Sequence, residues 1–356
     1  MAINQLAIAK NFFKNQKNFN INNYITNQIF DAEIRVTSKC NANCMMCGIR
    51  RYINEKNQSE DLSKCELLSL IDELSKLKCS FITFSGGEPT LRNDLLDLVN
   101  YATNKNMYVS LNTNGYLLTS KYLSELIESG VKSFTFSLDS PTSSVHNMIR
   151  QLPDSFERIC DAIDYINNYN SEFNKKIKIY INCVLLKSNI STIKEFTNFY
   201  NSHKFDHLNF VPASINVSWD DWTSDNENLR ISSKDIKFIE STITNLNKFI
   251  KVDSPFDKSY NEKNINSYFL ELPFPCYIHM FHIVVQCNGD IIPCCYANDN
   301  YIVGNIRNNT LNQILNNDKY IKFRRERNTN KYYFCNSCLQ YKNINTIIEK
   351  RMKNGY

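Results

Sequence analysis

The chain has 356 residues, enough to bury a large core, and its 41 basic and 36 acidic side chains leave a net charge of +5. No apolar run is long enough for a transmembrane helix, and the mild charge gives no support to a dedicated nucleic-acid surface. Lys10 and Lys14 follow the short apolar patch at the N-terminus, whereas a signal peptide places its charge first. These features predict a globular, cytoplasmic protein with no membrane partner and make a nucleic-acid partner unlikely on charge grounds.

Strand-like and helix-like segments alternate after a polar N-terminal extension at 1–32. Short runs rich in β-branched and aromatic residues predict six strands, at 33–38, 81–85, 107–113, 132–138, 178–186 and 207–212. Amphipathic helical patterns lie between them, as at 65–78. Repeated strand–helix units indicate a parallel sheet covered by helices. The fold class is therefore predicted to be α/β, a partial (β/α)6 TIM-like barrel over 33–250, with its chemistry at the C-terminal strand ends.

The character of the sequence changes near residue 250, where the regular alternation stops. Six of the thirteen cysteines fall in the remaining quarter of the chain, and Asn288-Gly289 is a strong hairpin turn signal. Residues 251–356 are therefore predicted to form a small cysteine-rich domain.

Three cysteines directly follow the first predicted strand, at the spacing Cys40-x3-Cys44-x2-Cys47. Thiolates hold iron–sulfur clusters, and a cubane normally takes four of them. Three thiolates leave one iron open to a small molecule that offers amino and carboxylate groups. The competing interpretations are a zinc knuckle, for which no fourth cysteine or histidine is near, and three buried thiols.

The spacing resembles that of the radical S-adenosylmethionine (SAM) superfamily, and further motifs occur in the expected order. Gly86-Gly87-Glu88-Pro89 closes the second strand like the family's GGEP motif, and the segment 112–115 resembles its TNG motif. The resemblance implies that backbone and Glu88 meet the amino group of SAM, and that Ser137 and Arg150 hold its carboxylate and ribose. It implies a SAM pocket of Gly86, Gly87, Glu88, Asn114, Ser137, Arg150 and Asn182.

The resemblance also assigns Met46 to the SAM pocket. Many relatives place an aromatic residue before the third cysteine, next to adenine, and here Met46 stands there; a flexible thioether can fill the same space. Asn182 and the end of the sixth strand, Val211-Pro212, are expected near the adenosine.

The C-terminal cysteines resemble those of the SPASM domain, which carries an auxiliary cluster in many radical SAM enzymes. The resemblance implies a second [4Fe–4S] cluster on Cys276, Cys294, Cys335 and Cys338. Cys295 could replace Cys294, and a structural zinc on the same four thiolates is the alternative.

Cys183 lies on the fifth predicted strand and is the single catalytic candidate among the remaining cysteines. If its thiol faces the barrel cavity, it could donate a hydrogen atom to a substrate radical, as in some relatives that epimerise residues. The competing interpretation is a buried core residue, which is the usual environment of an unligated cysteine.

The resemblance implies a radical SAM enzyme that reductively cleaves SAM to a 5′-deoxyadenosyl radical and abstracts hydrogen from its substrate. The favoured substrate is a peptide or peptide-derived natural product, which would be crosslinked, epimerised or oxidised. The alternatives are a sugar or aminoglycoside dehydrogenase, an RNA-modifying enzyme and a non-catalytic electron carrier. The implied cofactors are SAM and two [4Fe–4S] clusters, and the implied partner is an electron donor such as flavodoxin or ferredoxin.

Overall fold

A computed structural model of the protein describes residues 24–47, 60–213, 229, 231–253, 276–295, 297 and 301–327. Ten strands belong to one sheet: β1 (Asp31–Thr37), β2 (Phe81–Gly86), β3 (Tyr108–Thr113), β4 (Val131–Ser137), β5 (Lys178–Leu185), β6 (His207–Pro212), β7 (Val252–Asp253), β8 (His282–Val285), β9 (Asp290–Ile292) and β10 (Gly304–Asn305). β1 to β7 run parallel and in sequence order.

Most of the helices connect consecutive strands, and the last two follow β10. The helices are α1 (Lys64–Lys76), α2 (Leu95–Asn104), α3 (Ser120–Ser129), α4 (Ser143–Arg150), α5 (Ser155–Glu172), α6 (Phe196–Ser202), α7 (Ser233–Leu246), α8 (Leu311–Leu315) and α9 (Asp318–Glu326), with short 3₁₀ turns at Pro89–Leu91, Ile190–Glu195 and Ile278–Met280. α1 shows how local sequence sets a boundary, because Ser63 and Glu66 form a capping box at its start. Among the helices described, none combines the length and apolar character that crossing a bilayer requires.

The two faces of the sheet differ sharply in polarity. On β1, Ala32, Ile34 and Val36 are fully buried in the hydrophobic core, whereas the alternate residues Glu33 and Arg35 are only partly buried. Successive side chains of a strand point to opposite faces. The apolar set packs under the helices, and the polar set lines the concave face.

The sheet runs in the order β10-β9-β8-β1-β2-β3-β4-β5-β6-β7 and is open. This arrangement confirms the predicted partial barrel. β7 extends the parallel sheet beyond the six predicted strands and past residue 250. The division of the chain at that residue stays a prediction.

The C-terminal segment is joined directly to the barrel. β8 pairs with β1 in parallel, and β9 and β10 continue the sheet antiparallel. Asp31 and His282, which are register partners, form a buried hydrogen bond with 2.7 Å between Oδ2 and Nδ1. The C-terminal strands β8 to β10 therefore extend the barrel sheet and do not form a separate sheet.

Candidate functional site

The three-cysteine loop begins where β1 ends and is anchored at both flanks. On one side, Gly87 N–H donates to the Thr37 carbonyl and Glu88 N–H to the Lys39 carbonyl, each at 2.8 Å. On the other side, the Asn43 and Met45 amides donate to the last two carbonyls of α4, at 3.2 and 2.9 Å. The loop is thus held by backbone bonds to both the β2 end and the α4 end.

The two glycines after β2 are required by this close approach. A Cβ on Gly87 would overlap the carbonyl oxygen of Lys39, and one on Gly86 would overlap that of Thr37. Gly86 also has a φ of 134°, which side-chain-bearing residues rarely adopt. The glycines predicted for the SAM pocket therefore also pack the cysteine loop against β2.

Glu88 is almost fully buried, and its carboxylate is engaged within the protein. Oε1 accepts hydrogen bonds from the Thr90 amide, the Thr90 hydroxyl and the Thr113 hydroxyl at 3.1, 2.6 and 2.8 Å. Oε2 accepts from the Asn114 amide at 2.7 Å. Burial raises the pKa of this carboxyl, while the bonds from Asn114 and Thr90 oppose the rise. Glu88 therefore fastens the β2 end to the β3 end.

Asn114 also reaches back to the cysteine loop. Its Nδ2 donates to Oδ1 of Asn41, the residue after Cys40, at 2.7 Å. The Nδ2 atom of Asn41 is buried without a hydrogen-bond partner in the described structure. Sequence reasoning did not assign Asn41 a role, because asparagine inside a loop carries no distinctive pattern.

Arg150, at the end of α4, contacts the second cysteine of the loop. Its Nη1 lies 3.6 Å from Cys44 Sγ, and its Nε lies 2.6 Å from Oδ2 of the fully buried Asp139. Asp139 is itself fixed, since its Oδ1 accepts from the Val184 amide and its amide donates to Nδ1 of His146. The sequence prediction assigned no role to Asp139 or His146, although Asp139 lies two residues after Ser137 and His146 four residues before Arg150.

A row of polar side chains crosses the next three strands. Ser137, Asn182 and Asn209 are register partners on β4, β5 and β6, and Asn209 Nδ2 donates to Asn182 Oδ1 at 3.1 Å. Met46 packs on a small apolar cluster that includes Ile149 and Leu186. Ser137 therefore ends β4, whereas Asn182 and Asn209 lie within β5 and β6 in register with it.

Cys183 lies on the other face of β5. It is fully buried in the core that Ile179, Ile181 and Leu185 also join, and its sulfur lies 3.3 Å from the Asp139 carbonyl. Asn182 and Val184, which alternate with it, are only partly buried. This placement favours the core interpretation over hydrogen-atom donation, because strand alternation turns the thiol toward the buried face, and the catalytic role of Cys183 stays a prediction.

The donor set fits an iron–sulfur cluster. Burial is the main reason that the pKa of Cys40 is raised to about 11; the Ala42 amide opposes the rise, and the Cys44, Glu88 and Cys47 charges contribute to it. Burial also raises the pKa of Cys44, against Arg150. Three thiolates so placed require bound cations. Among the described residues, no three Cys, His, Asp or Glu side chains are arranged to ligate one metal ion. A cubane does not need such an arrangement, because each thiolate binds a different iron.

The C-terminal ligand set is described only in part. Cys276 is buried, and Cys294 and Cys295 are partly buried and pack against the main core. Cys335 and Cys338 lie outside the described residues. The choice between Cys294 and Cys295 stays open.

Two protein-family models match the chain. The model described as the radical SAM superfamily covers residues 34–200, and an iron–sulfur cluster-binding domain, SPASM, covers 276–339. The first range holds the three-cysteine loop and its supports, and the second holds all four cysteines predicted to ligate the auxiliary cluster.

Curated relatives match mainly over the first range. An AdoMet-dependent heme synthase of Oleidesulfovibrio alaskensis is 30% identical over 160 residues, which is 45% of this chain and 39% of that protein. The mycofactocin maturase MftC of Mycolicibacterium smegmatis is 29% identical over 161 residues, with the same two coverages. The aligned part thus spans less than half the length of these relatives.

Solved structures share the fold over most of the chain. Streptococcus suis SuiB bound to S-adenosylmethionine matches with a TM-score of 0.65 at 17% identity, over 85% of this chain and 69% of that one. AnSMEcpe with bound AdoMet and the Cp18Cys peptide matches with a TM-score of 0.61 at 19% identity, over 91% and 98%. The two matched domains imply SAM and [4Fe–4S] clusters as cofactors. Residues 34–200 thus form a domain of the radical SAM superfamily, and residues 276–339 form a SPASM iron–sulfur cluster-binding domain.

Proposed function

We propose that the protein reductively cleaves SAM and abstracts hydrogen from a peptide or peptide-derived substrate. The observation that carries this proposal is the anchoring of the three-cysteine loop between the Gly86–Glu88 segment and the end of α4, with Arg150 against Cys44. A non-catalytic electron carrier has no need of such a ligand pocket beside an incompletely ligated cluster.

The residues divide into three roles. Cys40, Cys44 and Cys47 hold the cluster, which with bound SAM supplies a one-electron cleavage that yields a hydrogen-abstracting 5′-deoxyadenosyl radical. Because the Glu88 carboxylate is saturated by internal bonds, we assign recognition of the SAM amino group to the Gly86–Glu88 backbone. The remaining pocket residues, which orient SAM, are Asn114, Ser137, Arg150, Asn182 and Met46.

The auxiliary cluster is proposed on Cys276, Cys294, Cys335 and Cys338. Four thiolates close the coordination of a cubane, which suits electron transfer or substrate orientation. The buried Cys276 and the partly buried Cys294 support this set. A flavodoxin or ferredoxin as electron donor remains a prediction.

The central experiment is anaerobic reconstitution followed by reduction in the presence of SAM. The wild type should bind about eight irons per chain and form 5′-deoxyadenosine. Cys40→Ala should abolish that product, whereas Cys65→Ala, at an exposed position on α1, should retain it. Formation of 5′-deoxyadenosine by a variant lacking all three loop cysteines would overturn the proposal.

The assignment of a peptide substrate is supported by the names of similar proteins, and it needs a separate test. SuiB is described bound to the precursor peptide SuiA, and MftC is named a maturase, whereas other relatives are named heme synthases. The reduced enzyme should be offered a short peptide encoded beside its gene, a haem-precursor porphyrin and an amino sugar. We expect a mass change in the peptide that is coupled to 5′-deoxyadenosine formation. Turnover of the porphyrin or the amino sugar alone would refute the assignment of a peptide substrate.

A further inference from the structure

Arg150 is held against the three-cysteine loop by both its backbone and its side chain. The amides of Asn43 and Met45, which flank Cys44, donate to the last two carbonyl oxygens of α4 at 3.2 and 2.9 Å. The guanidinium of Arg150, the last residue of that helix, lies with its Nη1 3.6 Å from Cys44 Sγ. The end of α4 therefore fixes the loop backbone and places a cation beside the same cysteine.

The guanidinium is fixed on its other side by Asp139. Its Nε lies 2.6 Å from Asp139 Oδ2, and the exposed fractions of the Arg150 and Asp139 side chains are 11% and 0%. Asp139 is itself anchored to β5 and to the segment that follows it. Its Oδ1 accepts a hydrogen bond from the Val184 amide at 2.9 Å, and its carbonyl oxygen accepts one from Asn189 Nδ2 at 2.6 Å. The anchored carboxylate therefore gives the guanidinium one orientation.

The guanidinium has more hydrogen-bonding capacity than these two contacts use. Arginine stays protonated in proteins and carries several N–H donors in a planar fork. Nε faces Asp139 and Nη1 faces Cys44, so further donors are left for the orientation of SAM that is assigned above to Arg150. Because the side chain is largely removed from water, its charge acts more strongly on the neighbouring sulfur than an exposed charge would. The contact with Cys44 therefore adds an electrostatic effect on this sulfur to the binding of SAM.

We propose that the Arg150 guanidinium donates an N–H···S hydrogen bond to the Cys44 thiolate and thereby raises the reduction potential of the SAM-binding cluster, with Asp139 as its positioning residue. The inference rests on the proposed function, because it needs a cluster on the three-cysteine loop. Net charge and hydrogen bonds to the sulfurs set the potentials of iron–sulfur clusters. Reduction adds negative charge to the cluster, so a cation held beside one of its thiolates favours the reduced form.

The first test is a redox titration of the reconstituted full-length protein without SAM, followed by electron paramagnetic resonance. The signal of interest is the one that changes when SAM is added afterwards. Arg150→Gln should lower its potential by about 59 mV, which is about a tenfold shift of a one-electron equilibrium toward the oxidised form. Arg150→Lys, which keeps the charge but loses the planar fork, should lower it less. Arg158→Gln, which removes an exposed guanidinium from α5, should leave it unchanged.

Asp139→Asn separates a positioning role of Asp139 from a simple effect of its charge. In the wild-type background the substitution releases the guanidinium from its fixed orientation, so the potential should fall. In the Arg150→Gln background there is no guanidinium to hold. The same substitution then only removes a negative charge, and the potential should rise. A rise in both backgrounds would refute the positioning role of Asp139.

A measurement on the wild type decides the matter even if variants of this buried pair do not fold. The protein is made with arginine whose guanidinium nitrogens carry the heavy isotope, and the reduced cluster is examined by pulsed electron paramagnetic resonance without SAM. We expect a hyperfine coupling between the labelled nitrogen and the SAM-binding cluster. Absence of this coupling, or an unchanged potential in Arg150→Gln with the loop cluster loaded, would overturn the proposal. A wild type without any SAM-responsive cluster would instead overturn the proposed function.

Discussion

At the residue scale, Glu88 is the polar centre of the site's scaffold. Its two carboxylate oxygens accept four hydrogen bonds from Thr90, Thr113 and Asn114. In Glu88→Gln one of these oxygens becomes an NH₂ group, which turns a donor toward another donor. We expect the free energy of unfolding to fall by about 1–3 kcal/mol in anaerobic urea denaturation. Asp97→Asn, on the exposed face of α2, is the control, and an equal effect of the two substitutions would refute this role for Glu88.

The buried pair of Asp139 and Arg150 supports a second prediction. Asp139→Asn leaves the guanidinium without its counter-charge, and breaking one partner of a buried pair typically costs about 3–5 kcal/mol. Arg150→Gln should be similarly costly, but the double variant should cost much less than the sum. A double-mutant cycle on the free energy of unfolding measures this coupling. Additive effects would show that the two side chains act independently.

The role of a residue could be predicted from the sequence where the chemistry depends on sequence spacing, as for the three loop cysteines. It was less predictable where tertiary pairing decides, as for Asp139, whose partner Arg150 stands eleven positions on. The burial of Cys183 could have been predicted from the sequence. Ile179, Ile181 and Leu185 occupy the alternate positions of β5 that point to the same face as Cys183, and all three are apolar. That pattern places the thiol on the helix-covered face.

At the scale of elements, the six predicted strands match β1 to β6 to within two residues at each end, because β-branched runs between helices are a strong local pattern. β7 has two residues and carries no such pattern. The pairing of β8 with β1 joins residues about 250 positions apart, and no local pattern encodes it.

The glycines at the element ends provide a matched pair of substitutions. Gly87→Ala forces a Cβ against the backbone of Lys39, next to Cys40, so we expect loss of about four irons per chain. Gly130→Ala, at a φ of 122° between α3 and β4, should lower the free energy of unfolding by at least about 1 kcal/mol but retain the iron. Iron analysis and anaerobic denaturation of both variants check this contrast. Equal iron contents would contradict it.

The N-terminus of α1 is tied to the C-terminal segment by an acid-sensitive contact. Arg307 lies 2.6 Å from Glu66, and its hydrogen bond, with those from Ser63, lowers the pKa of that carboxyl from 4.5 to about 2. A lowered pKa stabilises the folded state above pH 4.5, and this stabilisation is lost as the pH falls toward 2. The stability difference between the wild type and Glu66→Gln should therefore shrink over this interval in denaturation curves. A constant difference would exclude the linkage.

At the scale of the whole molecule, the shared ladder of β1 and β8 makes the barrel and the C-terminal hairpin one sheet. Strands in one ladder tend to open together. We expect the amides of 31–37 and 282–285 to show matching protection in hydrogen exchange monitored by mass spectrometry. Faster exchange of β8 by orders of magnitude would show that the hairpin detaches independently.

The same ladder has a consequence for synthesis on the ribosome. The outer edge of β1 gains its neighbour only when residue 285 has been made, and 199 residues separate that point from the end of β2 at residue 86. At about 5–20 residues per second this interval lasts roughly 10–40 s. During it the nascent barrel presents an unpaired strand edge, which invites association with other chains, beside a cysteine loop that is still to receive its iron. The unpaired edge of β1 and the cysteine loop that follows β1 are therefore adjacent in the chain while the sheet is unfinished.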